Sequence, residues 1–109
     1  MPNPFRGEVG IVLDGRERVM RLTLAALCEL EERLDCGSIL ALVERFETGQ
    51  IRARDVVSVI AAGLRGGGEA VDEDALAGME IGGGPVGAVR AAAELLRVTF
   101  SVPDDGRRG

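Results

Sequence analysis

The chain has 109 residues, 46% of them apolar and only three aromatic, with a formal net charge of −5. This length predicts one domain with a single, mainly aliphatic core. The acidic balance disfavours DNA or RNA binding, because phosphate recognition needs a basic surface, and no apolar run approaches the roughly 20 residues that span a bilayer. Since the N-terminus also lacks a signal-peptide pattern, we expect a cytoplasmic protein without nucleic-acid or membrane partners.

The first predicted element is a β-hairpin. Extended apolar stretches flank Asp14-Gly15, a pair that tolerates the positive φ angles of a two-residue turn. Such a turn pairs Glu8 with Arg21 across the strands. It also puts four apolar residues on one face, namely Val9, Ile11, Leu13 and Met20. Because an isolated hairpin is barely stable in water, this one must pack on the helices or on another molecule.

Three helical segments with short connections follow the hairpin. Thr23 and Ser38 are suited to cap the first two, and Gly49 to end the second. The third is predicted over residues 54–64. Its inward face, at helical spacing, comprises Val56, Val57, Ile60 and Leu64. The glycine run at 66–68 then interrupts the chain, and residues 66–70 are the expected hinge.

Two further helices complete the predicted fold. Asp72 is suited to cap a short fourth helix, and Pro85 to open the fifth. The buried side of the fifth helix is expected to carry Val86, Val89, Leu96 and Phe100. The predicted fold is therefore α+β and mostly helical, an N-terminal β-hairpin followed by about five short helices in a compact bundle. We expect residues 1–100 to form this domain and residues 101–109 to be a polar, frayed tail.

The residue types that usually carry catalysis or bind metals are scarce. The chain has no histidine, and its two cysteines make a poor zinc site. On one helix, Cys28 and Cys36 would lie about 12 Å apart, too far for a disulfide. We therefore expect reduced thiols, with Cys28 packed on an apolar stripe. The sequence predicts a protein that is not an enzyme and has no cofactor or metal.

Three glycines, Gly82, Gly84 and Gly87, match the G-x-G-x-x-G pattern of dinucleotide-binding loops. The context does not fit, because no strand-like run precedes them and Pro85 removes a backbone N–H from the would-be phosphate cradle. We interpret the segment as a flexible linker followed by a helix start. The sequence leaves open whether residues 66–84 are ordered.

Glu31 has an unusual position on the first predicted helix. At about 100° per residue it falls within the arc of Leu24, Leu27, Leu30 and Leu34. A carboxylate on an apolar face must be paired internally, neutralised or turned toward a partner. Internal pairing is the more common outcome. The alternative is a partner-binding surface made by Glu31, Leu27 and Leu30.

Several blocks, in this order, resemble a known family. They are NPFRGEV at 3–9, LDG at 13–15, LTL at 22–24, ALCELE at 26–31, IAAGLRG at 60–66 and AAELL at 92–96, followed by Phe100. Together they are similar to small phage-tail-type proteins that gene transfer agents of alphaproteobacteria encode beside the tape-measure gene. Members are similar to phage tail assembly chaperones, although some are called tail tube proteins.

The resemblance implies a chaperone that coats the tape-measure protein while tube subunits polymerise around it, and then leaves. Its implied partners are the tape-measure protein and the tail tube subunits, and no catalytic residues carry over. Amphipathic helices suit this role because they can cover apolar stripes of a helical client. The alternative is a permanent tail component, a tube or connector subunit that pairs with its neighbours through the hairpin edge. The client-binding surface and the oligomeric state, a homo-oligomer included, stay open.

Overall fold

The computed structural model describes residues 2–33 and 37–100. In chain order the elements are a 3-10 turn at Pro4–Arg6, strands β1 (Glu8–Leu13) and β2 (Arg16–Arg21), and helices α1 (Leu24–Arg33), α2 (Ile39–Thr48), α3 (Ala53–Gly66), α4 (Glu73–Ala77) and α5 (Gly84–Phe100). The predicted fold class, a mostly helical α+β chain with a hairpin before five helices, is confirmed. The tail predicted at residues 101–109 lies outside the described residues.

The hairpin has the predicted turn and register. Asp14 and Gly15 adopt φ angles of 50° and 80°, left-handed values that close a tight antiparallel turn. Glu8 lies opposite Arg21, as predicted. The apolar residues expected on one face are all buried, namely Val9, Ile11, Leu13 and Met20. The hairpin is therefore stabilised by packing on the helices, above all on α3.

Helix α3 forms the centre of the core. Nine of its residues are buried, on more than one side of the helix, because β2, α1, α4 and α5 all pack against it. The residues predicted to face inward are buried or half-buried, namely Val56, Val57, Ile60 and Leu64. Small residues allow the close packing: a Cβ on Gly63 would lie 2.6 Å from Leu95 Cδ2 and 2.9 Å from Met20 Cβ. The buried surface of α3 is thus wider than the single inward face that the spacing predicted.

The glycines that end α3 pack against the outer edge of β2. A Cβ on Gly66 would lie 1.9 Å from the carbonyl oxygen of Arg21, and a Cβ on Gly67 would lie 2.3 Å from that of Val19. Only a residue without a Cβ permits two backbones to approach this closely. The structure therefore gives these two glycines a packing role in place of the expected hinge.

Helix α5 buries a different face from the one that the sequence predicted. Its buried residues are Ala88, Ala92, Leu95 and Leu96. Of the four residues expected inside, only Leu96 is buried, whereas Val86 is 62% and Phe100 40% exposed and Val89 is half-buried. The prediction is wrong because the face of α5 that packs on β1 and α3 includes two alanines, which a pattern built on larger apolar residues passes over.

The predicted helix caps are confirmed. The side-chain oxygens of Thr23, Ser38 and Asp72 each accept a hydrogen bond from the backbone N–H three residues later, at 3.1, 3.1 and 2.7 Å. Gly49 ends α2 in the left-handed conformation, with φ 78°. These bonds satisfy backbone groups that a helix end leaves unpaired, and so they set where α1, α2 and α4 begin and α2 stops.

A buried carboxylate that the sequence did not predict links α2 to α3. Asp55 is 3% exposed. Its Oδ2 accepts hydrogen bonds from Arg45 Nη1 at 3.0 Å and from the backbone N–H of Arg52 at 3.1 Å. Because a buried charge must be paired, this ion pair holds the C-terminal half of α2 against the start of α3.

Candidate protein-binding groove

An open apolar groove of about 960 Å³ lies where α3, α4 and the start of α5 meet the tip of the hairpin. The loop between α4 and α5 completes it, and we call it the apolar groove. Its larger apolar side chains include Val57, Ile60, Leu76, Met79, Ile81 and Val89. Glu80 is the single charged residue among the described residues that line it. Such a lining binds apolar groups of a partner and supplies little else.

Hydrogen bonds to the hairpin hold the loop that forms one wall of the groove. Gly82 N donates to Val12 O at 2.9 Å and Asp14 N to Glu80 O at 2.8 Å. In return, Glu80 N donates to the Asp14 carboxylate at 2.9 Å. The loop also lies against α5, since a Cβ on Gly87 would be 2.2 Å from Gly82 O. The segment that we expected to be a flexible linker is therefore tied down, and the groove is pre-formed.

The glycine pattern at 82–87 has a packing role in this wall. Gly83 and Gly84 have φ angles of 84° and 68°, which favour glycine, and Gly87 allows the close approach to Gly82. Ile81 forms an isolated bridge with Leu13, so no full strand precedes the pattern. Turn geometry and close contact account for all four glycines without a phosphate ligand.

The groove offers surface for binding and few groups for chemistry. In residues 2–33 and 37–100, no three cysteine, aspartate or glutamate side chains cluster in a way that would hold a metal ion. Over the same ranges, no helix has the length and apolar character needed to cross a membrane. What the arrangement can do physically is bury apolar side chains of another polypeptide, as helix-in-groove sites do.

The three residues predicted to bind a partner lie on α1, and none of them lines the groove. Leu30 is fully buried and Leu27 is half-buried against the core, whereas Glu31 is exposed. Glu31 makes no hydrogen bond or ion pair with the rest of the described chain, so the expected internal partner is not found there. A partner-binding role for this surface stays a prediction. Leu30 is buried, so it would support such a surface from within the core and would not contact the partner.

Helix α1 is rotated relative to the arc that we inferred. Its buried residues are Ala26 and Leu30, and Leu24 is 81% exposed. Cys28 lies on the opposite side of the helix from Ala26 and is an exposed free thiol. The prediction that Cys28 packs in the core is therefore wrong. Leu34 and Cys36 lie outside the described residues.

Both edges of the hairpin are covered in part. The end of α3 lies against β2 at Val19 and Arg21, and the loop after α4 bonds to β1 at Val12. Strand addition by a neighbouring subunit, which we expected of a permanent tail component, has no open edge along these stretches. The apolar groove is the larger surface for such a partner.

One comparison with known proteins gives a match. The family model described as "Phage tail tube protein, GTA-gp10" matches residues 6–102, which include the hairpin and every helix around the groove. No curated protein matches the chain. No solved structure matches it either.

Proposed function

The chain belongs to the phage tail tube protein family of gene transfer agents, and from this membership we propose that it is a permanent structural component of a phage-like tail, a tube or connector subunit. The family match over residues 6–102 is the observation that carries this proposal. The family description names a tail tube protein, so it supports the permanent component better than the departing chaperone that the sequence resemblance implied.

We propose that the subunit acts by binding other tail proteins, without catalysis or a cofactor, and that the apolar groove is the principal contact. Burial of apolar surface contributes about 25 cal/mol per Å², so a partner covering about 300 Å² of apolar surface would gain about 7.5 kcal/mol before association costs. A pre-formed groove lowers those costs because little of its wall must be ordered on binding.

Quantitative mass spectrometry of purified particles tests the permanent role. The tape-measure protein of the same particle serves as the internal reference, because it belongs to the finished tail. We expect the chain at a fixed ratio to that reference across preparations. Its loss from finished particles, together with its presence in assembly intermediates, would reject the permanent component.

A transient assembly chaperone is the second candidate, and the open, aliphatic groove favours it. Such a groove suits the apolar stripe of a helical client segment, as the tape-measure protein would present. Co-expression with the tape-measure protein tests this role through the soluble fraction of that client. A chaperone raises the soluble fraction, Ala77→Arg in the groove abolishes the gain, and the matched exposed variant Ala25→Arg on α1 keeps it. An unchanged soluble fraction with the wild-type chain rejects the chaperone.

A further inference from the structure

We propose that the apolar groove of one copy binds the Pro4–Arg6 turn of a second copy, with Phe5 inserted in the groove and Arg6 beside Glu80. This inference rests on the proposed function, because it names the partner of a tail subunit as the next copy of the same chain. We call the Pro4–Arg6 segment the N-terminal turn.

The N-terminal turn presents an exposed aromatic side chain on an ordered backbone. Phe5 is 99% exposed. Its backbone N–H donates to Asn3 Oδ1 at 2.9 Å, Asn3 N donates to Glu8 Oε1 at 2.9 Å, and Gly7 closes the turn with φ 77°. An exposed aromatic side chain on an ordered backbone gains apolar burial on binding and has only two side-chain torsions to order. Aromatic residues are common anchors of interfaces.

Charge complementarity selects this turn over the other exposed apolar side chains. Arg6 follows Phe5, and Glu80 is the charged residue of the groove lining. Within the described residues, neither side chain takes part in an ion pair or hydrogen bond. Leu24 and Leu40 are 81% and 74% exposed, but uncharged residues flank both of them. The aromatic anchor and its neighbouring cation match the chemistry of the groove.

The contact has to form between copies. The N-terminal turn precedes Glu8 at the start of β1, whereas Val12 and Gly15 line the groove at the tip of the hairpin. Five residue steps along β1 separate these ends by about 17 Å, and Phe5 is 99% exposed, so it does not occupy the groove of its own molecule. Because the two surfaces differ and lie at opposite ends of the hairpin, the contact is head to tail. Contacts of this type repeat from copy to copy and produce rings or filaments.

Sedimentation velocity of the full chain over a range of concentrations tests the proposal. We expect the wild type to associate, and Phe5→Ser or Ala77→Arg to raise the concentration needed by about tenfold or more. Leu40→Ser and Ala25→Arg are matched exposed controls outside the two surfaces and should associate like the wild type. Thermal melting checks that each variant is folded. A monomeric wild type, or controls as impaired as Phe5→Ser, overturns the proposal.

A mixing experiment isolates the head-to-tail geometry. Phe5→Ser keeps an intact groove and Ala77→Arg keeps an intact N-terminal turn, so the mixture should form one-to-one dimers and nothing larger. A mixture that stays monomeric overturns the proposal. A monomeric chain that is nevertheless present at a fixed ratio in finished particles rejects this contact alone. Absence from finished particles rejects the tail-subunit function, whatever the association state.

Discussion

Asp55 makes the tightest buried charge contact between two helices in the described chain. Its carboxylate is 3% exposed, and the partner guanidinium of Arg45 is 23% exposed, so the pair sits where water replaces it poorly. Nothing in the local pattern marked Asp55 as buried, since an acidic residue in the first turn of a helix is usually exposed. Its burial shows only in the fold, where Arg45 of α2 and the backbone N–H of Arg52 donate to its carboxylate.

We expect Asp55→Ala to lower the free energy of unfolding by about 2–4 kcal/mol, because Arg45 loses a buried partner and the start of α3 loses a hydrogen bond. Urea denaturation with unchanged m-value measures the loss. Glu44→Ala, one residue from Arg45 but exposed, is the control and should change stability by less than about 0.5 kcal/mol. Equal effects of the two variants would contradict a structural role for the pair.

The glycine at the end of α3 provides a second residue-scale test. Gly66→Ala places a Cβ 1.9 Å from the Arg21 carbonyl oxygen, so the backbone has to move, and we expect a loss of about 1–3 kcal/mol. Gly78→Ala is the matched control, since its Cβ would meet only Ala75 O at 3.7 Å. Thermal unfolding compares the stability of the two variants. If Gly66→Ala is as stable as Gly78→Ala, the segment is a loose hinge and not a packed junction.

At the scale of elements, the hairpin and the caps followed from the sequence, whereas the rotation of two helices did not. Turn and cap preferences depend on a few neighbouring residues. The sequence alone therefore predicts the roles of Asp14, Thr23 and Ser38. The buried face of a helix depends on what packs against it. Apolar size favoured Val86 over Ala88 in α5, but it is Ala88 that lies on the face packed against β1 and α3.

A pair of truncations tests which face of α5 is buried. Leu95→Ala removes a fully buried side chain beside Gly63, and we expect it to cost about 2–5 kcal/mol through lost burial and a cavity. Val86→Ala removes an exposed side chain and should cost less than about 0.5 kcal/mol. Denaturant midpoints compare the two. A larger loss of stability for Val86→Ala than for Leu95→Ala would show that α5 buries the face that the spacing predicted.

At the scale of the whole molecule, the resemblance to tail proteins of gene transfer agents is confirmed at the level of the family. The groove was not predictable, because its walls come from positions between Val12 and Val89 that are far apart in the chain. Sequence spacing reports on one element at a time. The one feature of the groove that stood out in the sequence was the glycine pattern at 82–87. Its packing role becomes clear only in the fold, where the hairpin lies beside it.

The central claim is that this chain stays in the tail and is held there through its apolar groove. Its copy number per tape-measure protein in finished particles, assembled with the wild type, Ala77→Arg or Ala25→Arg, tests that claim most directly. We expect the same fixed ratio for the wild type and Ala25→Arg, and a loss of at least about tenfold for Ala77→Arg. Finished particles that lack the wild-type chain, or that retain Ala77→Arg at the wild-type ratio, would contradict the claim.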